Sequence, residues 1–312
     1  MRRRNFISRL STGALLLGSE AFPFSGFGSS LFKNDLVHLT ILHTNDVHSR
    51  IDPFPMDGTG NQGLGGVPAR MKLIKKVRDS EKNVLLLDAG DIFQGTPYFN
   101  LYNGELEMKL MSQMGYDAST VGNHDFDAGM ENLAKQLQFA NFPLLNVNYD
   151  FSNTPMKGHT QPYKIFVKEG VRIGVFGVGI ALKGLVADAL AGATVYNDPL
   201  DVANKTAATL KNGEKCDYVI CLSHLGYKYD RAGESDKIDD VKFAEASRHI
   251  DLIIGGHTHT FLKQPDIRKN LDGSPVIINQ VGWAGIMLGR IDVTFERGKS
   301  NRCETCKNII VG

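Results

Sequence analysis

"NVLLLDAGD", residues 83–91, sets four aliphatic residues in a row and then breaks off into Asp, Ala, Gly and Asp. A run this short and this apolar fits a strand buried on both faces, and the Gly-Asp that closes it fits a loop at the strand's end. The same unit recurs along the chain: "VHLTILHTND" (37–46), "ASTVGNHD" (118–125), "FPLLNVN" (142–148), "YKIFVKEGVRIGVFGV" (163–178), "DYVICLSHLG" (217–226), "DLIIGGHTH" (251–259), "SPVIINQVG" (274–282) and "MLGRIDVTFE" (287–296). Amphipathic stretches between them read as helices over 68–78, 105–114, 130–139, 198–211 and 239–246. Strands alternating with helices predict an α/β fold around a mostly central sheet. Antiparallel hairpins are expected at 163–178 and 274–296. One domain over 31–300 is the economical reading, followed by a C-terminal tail at 301–312. The Gly- and Pro-rich loop 51–70 either shapes a substrate entrance or is a lid with no specific role.

The composition, 42% apolar and 22% charged, is that of a globular protein. A net charge of +1, with no dense basic patch, argues against a nucleic-acid duplex as partner. Residues 1–30 hold four Arg and one Glu, so removing them leaves 31 basic against 33 acidic residues, near −2. Within that leader, Arg3-Arg4-Asn5-Phe6-Ile7 resembles the twin-arginine export pattern, and Ala14 to Leu17 form a short apolar run. The run is far shorter than the about 20 residues a membrane span needs. Residues 1–30 therefore read as an export signal, against the alternative of a basic tail. That predicts a periplasmic protein, membrane-anchored if the signal stays uncleaved. Cys216 and Cys221 flank a strand-like run and read as buried thiols, whereas Cys303 and Cys306 read as a local disulfide or two free thiols.

Chemistry is concentrated at the ends of the apolar runs. Asp46 and His48 follow the first at i and i+2, a spacing that turns both to one side of a strand. Asp91 closes the second, Asn123 and His124 follow the third, His224 ends "VICLSH", and His257 and His259 follow "DLIIGG". Each alone has a plain structural explanation: Asp46 or Asp125 as a helix cap, a His as a satisfied polar residue. Five strands delivering metal-ligand types to one sheet edge, with five of the nine His among them, favour a metal site instead. Imidazole mixed with carboxylate suits Zn, Mn, Fe or Co, and the absence of Cys from the set argues against a structural zinc site.

The ordered motifs "D-x-H" (46–48), "GD" (90–91), "GNHD" (122–125), "H" (224) and "GHTH" (256–259) resemble those of the calcineurin-like metallophosphoesterases. "ILHTNDVHSR", "LLDAGDIFQGTP" and "VGNHDFDAG" are similar to the narrower family of 5′-nucleotidases, UDP-sugar hydrolases and 2′,3′-cyclic phosphodiesterases, over about 38 to 296. The resemblance implies a four-layer α/β/β/α sandwich of two mixed β-sheets. It implies one divalent metal on Asp46, His48, Asp91 and His259, and a second on Asp91, Asn123, His224 and His257, with Asp91 bridging. Two cations about 3.5–4 Å apart can share a hydroxide that attacks phosphorus in line. The resemblance assigns His124 to the transferring phosphoryl group and Asp127 to the orientation of His124.

These relatives usually carry a second, C-terminal domain that binds the base, and residues 297–312 are too few to hold one. Two expectations follow: a separate substrate-binding subunit completes the enzyme, or this domain acts alone on nucleotides and other phosphoesters. Thiosulfohydrolase-like cleavage of a sulfur ester, broad phosphodiesterase or UDP-sugar hydrolase activity, and a metal-binding scaffold are the competing readings. The His124–Asp127 pair speaks against the scaffold, which has no need of it.

Overall fold

Along β1 (Leu36–Thr44) the side chains serve two different cores. Val37, Leu39 and Ile41 join one apolar cluster and Leu42 another, as the two-residue period of a strand requires. The computed structural model describes residues 36–312 apart from 231, 232, 235, 298, 300 and 301. The expected export signal therefore lies outside the described residues. Among the described residues no helix is long and apolar enough to cross a membrane.

The first sheet holds seven strands: β1, β2 (Val84–Asp88), β3 (Ala118–Ser119), β4 (Leu144–Leu145), β6 (Thr160–Gln161), β14 (Met287–Glu296) and β15 (Arg302–Ile310). Its order is β15-β14-β1-β2-β3-β4-β6. The second sheet holds β7 (Tyr163–Lys168), β8 (Val171–Gly179), β10 (Tyr218–His224), β11 (Leu252–Gly255), β12 (Asp266–Lys269) and β13 (Pro275–Asn279), in the order β12-β13-β11-β10-β8-β7. A two-stranded ribbon, β5 (Tyr149–Asp150) with β9 (Val195–Tyr196), stands apart. Both sheets are mixed, because β1, β2 and β3 run parallel, as do β8, β10, β11 and β13, while β14–β15, β7–β8 and β12–β13 are antiparallel.

Three apolar layers hold these sheets and their helices together. Leu39, Leu85 and Leu87 of the first sheet meet Val175, Ile220 and Ile254 of the second. On the outer face of the first sheet, Leu42 and Leu86 pack on Ile74 of α1 (Val67–Ser80) and Met111 of α3 (Glu105–Met114), which follows α2 (Pro97–Tyr102). Beyond the second sheet, Val219 and Ile253 pack on Ala203 of α6 (Pro199–Ala208) and Phe243 of α7 (Asp240–Ala246); α4 (Met130–Gln136) and α5 (Asp188–Ala191) complete the helices. The four-layer α/β/β/α arrangement is the one expected, and each fully buried aliphatic side chain contributes about 1.5–3 kcal/mol to it.

Two expectations from the sequence are corrected. Residues 274–296 form no hairpin, because β13 already has β11 on one edge and β12 on the other, leaving none for β14. The chain crosses instead between the sheets through 280–286. Residues 301–312 are not a tail: β15 pairs antiparallel with β14, and Val311 is buried, bonded to Ile286 and Gly65. On that strand Cys303 and Cys306, three residues apart, point to opposite faces and are free thiols. Cys216 and Cys221 are buried thiols, as expected.

The strand ends that carry the candidate residues are tied together by Asp88. Its carboxylate accepts from Thr44 Oγ1 (2.6 Å), Ser119 Oγ (2.9 Å) and the Gly90 N–H (2.9 Å), linking β1, β2 and β3. Complete burial pushes this carboxyl up to about 6, more than its hydrogen bonds pull it down. The folded state thus holds the proton more tightly than the unfolded chain, and the stability tied to it is lost as pH rises from about 4 through about 6. Relative to Asp88→Asn, the metal-free protein should lose about 3 kcal/mol between pH 4 and pH 7. Urea unfolding of both proteins at several pH values measures this, and a constant difference across that window would refute it.

Candidate metal centre

None of the pairs spaced i and i+2 lies on a strand, since β1 stops at Thr44 and β11 at Gly255. Asp46 and His48, like His257 and His259, converge because the loop backbone turns left-handed. φ is 50° at Asp46 and His48, 56° at Asp91, 72° at His257 and 53° at His259. Side-chain-bearing residues rarely adopt this conformation, and it persists where surrounding contacts hold it. Here the loops brace one another: the N–H groups of Asp46, His48 and Ser49 donate to the carbonyls of Gly90, Asp91 and Ile92 at 2.9–3.1 Å.

Two triads result, Asp46-His48-His259 and Asp91-His224-His257, and within each the donor atoms lie within 4.8 Å of one another. Asp91 Oδ2 stands between them, 3.1 Å from His224 Nε2 and 3.7 Å from His48 Nε2. His259 Nε2 is 3.4 Å from Asp46 Oδ1 and 3.0 Å from His48 Nε2. Asn123 joins the second triad through Oδ1, 2.8 Å from His257 Nδ1. All seven residues singled out as ligands are thus brought together.

Fixed partners orient these side chains. His224 Nδ1 donates to the Ala89 carbonyl (2.7 Å) and His48 Nδ1 to that of Phe93 (3.2 Å), which leaves each Nε2 facing the carboxylates. Asn45 Nδ2 donates to Asp46 Oδ2 at 2.6 Å. Gly122 is obligatory, because a Cβ there would lie 2.1 Å from Asp91 Oδ1.

Asp125 departs from its expected role as a helix cap. Its buried carboxylate accepts four backbone N–H groups: Asp91 (3.2 Å) and Gly122 (2.8 Å) on Oδ2, Ile92 (2.9 Å) and Phe93 (3.2 Å) on Oδ1. It clamps the Asp91 loop to the Gly122 loop. Its place inside "GNHD" was the only sequence signal, since three of the four N–H groups it serves lie more than thirty residues away. The charge pattern has one imbalance. Burial lowers the His257 imidazole to about 4 and also lowers His48, against the pull of Asp91 and Asp46. His224 is equally buried, yet Asp91 and Asp46 outweigh that burial and raise it to about 10. Its Nε2 stands 3.1 Å from Asp91 Oδ2 and has no other hydrogen-bond partner among the described residues. The carboxylates therefore demand positive charge at that atom, and a divalent cation meets the demand as well as a proton does.

His124 lies at the rim, with Nδ1 2.8 Å from Asp127 Oδ2 and its ring centroid 5.2 Å from that of His48. It belongs to neither triad. Burial pulls this imidazole down, but Asp91 and Asp127 together raise it above its ordinary value. Loop 51–66 also reaches the centre: Phe54 meets Trp283 edge-on, and Trp283 lies parallel to His259 at 5.7 Å. Neither aromatic residue stood out in the sequence, because neither is a ligand type.

Residues 39–261 match the family model described as calcineurin-like phosphoesterase. The 5′-nucleotidase of Vibrio cholerae is 34% identical over 283 residues, which are 84% of this chain and 50% of that protein. The trifunctional nucleotide phosphoesterase of Bacillus subtilis is 31% identical over 85% of this chain and 18% of its own length. Among solved structures, a 5′-nucleotidase precursor from Thermus thermophilus superposes with a TM-score of 0.77 at 32% identity, covering 88% of this chain and 55% of that one. The chain thus spans about half the length of that Vibrio relative and under a fifth of the Bacillus one.

Proposed function

The chain belongs to the calcineurin-like phosphoesterase family, and from that premise we propose that it is a metal-dependent phosphohydrolase acting on nucleotides. The observation that carries the reading is Asp91 Oδ2, held between two Asp/His triads with no lysine or arginine paired to it among the described residues. In this proposal Asp46, His48, Asp91 and His259 hold one divalent cation, and Asp91, Asn123, His224 and His257 hold the other. Two such cations would polarise phosphoryl oxygens and make water a nucleophile at neutral pH. His124, its Nδ1 fixed by Asp127, presents Nε2 to the phosphoryl group and gives a proton to the leaving oxygen. Neutral Asn123 contributes an oxygen without adding charge that would repel phosphate.

The test is turnover of 5′-AMP, UDP-glucose, cyclic nucleotides and an aryl phosphate with Mn or Zn. Release of phosphate from nucleotides supports the reading, and no turnover of any of them by the metal-loaded protein would overturn it. Export is part of the same proposal, supported by Arg3-Arg4-Asn5-Phe6-Ile7. A separate substrate-binding subunit is one source of base recognition; a cleft beside His257 competes for that role.

The Asp125 clamp makes a separate prediction. Asp125→Ala strips the acceptor from four N–H groups and frees the Asp91 loop, so metal affinity should fall about 10–100-fold. Chelator competition measures this, and unchanged affinity would reduce Asp125 to a packing role.

A further inference from the structure

A cleft of about 560 Å³ opens beside His257, within the size range of small-molecule sites, about 300–1,000 Å³. His257 belongs to the candidate centre and also to this wall: Nδ1 faces Asn123, and the ring lines the cleft. Ile180, Lys183 and Leu185 form one side, and Tyr196 and Tyr229 the others.

These walls are set before any ligand arrives. Tyr149 Oη donates to the Ile180 carbonyl, and Leu182 and Val186 are buried in the core, which turns Lys183 and Leu185 outward. Tyr229 is fixed by its Oη on the Leu225 carbonyl (2.7 Å) and by its N–H on Asp239 (3.1 Å). Tyr196 rests against Tyr149 at 6.2 Å between ring centroids. A single exposed leucine is ordinary. Leu185, 49% exposed, is instead continuous with Ile180 and two tyrosines beside a charged centre.

We propose that this cleft is a nucleoside subsite, which takes the base of a phosphomonoester whose phosphoryl group sits at the candidate centre. The inference rests on the phosphohydrolase reading. The Tyr196 ring offers a face on which any base stacks, and stacking is sequence-tolerant; the Tyr229 ring, with Lys237 Nζ 5.1 Å over it, forms an aromatic wall. Ile180 and Leu185 give the base an apolar edge to lie against, while Lys183, Asp198 and Lys237 leave polar groups for the ribose hydroxyls. Lys183 adds a cation at the rim.

The full chain carrying Ala181→Trp, which fills the cleft from its exposed edge, tests this together with Leu185→Ala. The ratio of kcat/KM for 5′-AMP over that for glycerol phosphate should fall about tenfold in each, through KM. In equilibrium dialysis of the metal-free protein, adenosine should bind the wild type and fail to bind Ala181→Trp. An unchanged ratio with 5′-AMP still hydrolysed overturns the subsite and leaves the phosphohydrolase standing. If neither ester is hydrolysed the phosphohydrolase reading falls, and the dialysis alone decides the cleft: adenosine bound by the wild type and lost in Ala181→Trp upholds it, and no binding by the wild type overturns it.

Discussion

Asp91→Asn is expected to retain at most one divalent cation per chain and to hydrolyse phosphoesters at least about a thousandfold more slowly. Among the described residues Asp91 Oδ2 makes the closest approach that spans the two triads, 3.1 Å from His224 Nε2 and 3.7 Å from His48 Nε2. Asp46 is 4.0 Å from His224 and serves the first triad through His259. The amide keeps the shape and the bond from the His124 N–H but loses the charge that draws a cation to each side. Elemental analysis after dialysis gives the stoichiometry and initial rates give the loss. A rise in thermal stability on adding metal should shrink with it, because ligand binding to the folded state stabilises by mass action. Two cations retained, with kcat within tenfold of the wild type, would remove Asp91 as the bridge.

His124→Ala separates chemistry from metal binding. Its kcat should fall about 10²–10⁴-fold while both cations remain, because His124 supplies no atom to either triad. The loss should be steep for 5′-AMP, whose alkoxide leaving group needs a proton, and shallow for p-nitrophenyl phosphate, whose leaving group does not. Equal losses on both substrates would move His124 from proton donor to a purely electrostatic role, and lost metal would make it a ligand.

The doubly buried strands were legible because burial on both faces leaves runs such as Val84 to Leu87, which no surface element resembles. β15 was not, since its pattern, Arg302-Cys303-Glu304-Thr305-Cys306-Lys307, is that of a half-exposed edge strand, with adjacent aliphatic residues only at its end, Ile309-Ile310. α2 escaped notice as six residues starting at Pro97, too short for a helical period. Which strand takes which neighbour is a property of free edges, and that is why β13 and β14 were mispaired. At the site the ligand types were visible, because nothing else in the fold needs five His at loop starts. What bends the loops was hidden: left-handed φ at five candidate ligands, and a carboxylate at Asp125 serving N–H groups from another segment.

Each triad draws its members from both sheets. Asp46 and His48 descend from the first sheet and His259 from the second; Asp91 comes from the first, His224 and His257 from the second. A cation in either triad would therefore be a rivet across the seam of the sandwich, and the crossing segment 280–286 passes the same point, with the Ala284 N–H on the Asp46 carbonyl at 2.7 Å. Sliding one sheet by a fraction of an ångström would open both triads at once. Substitutions deep in the seam, far from any ligand, should then register first as weaker metal retention and only later as unfolding.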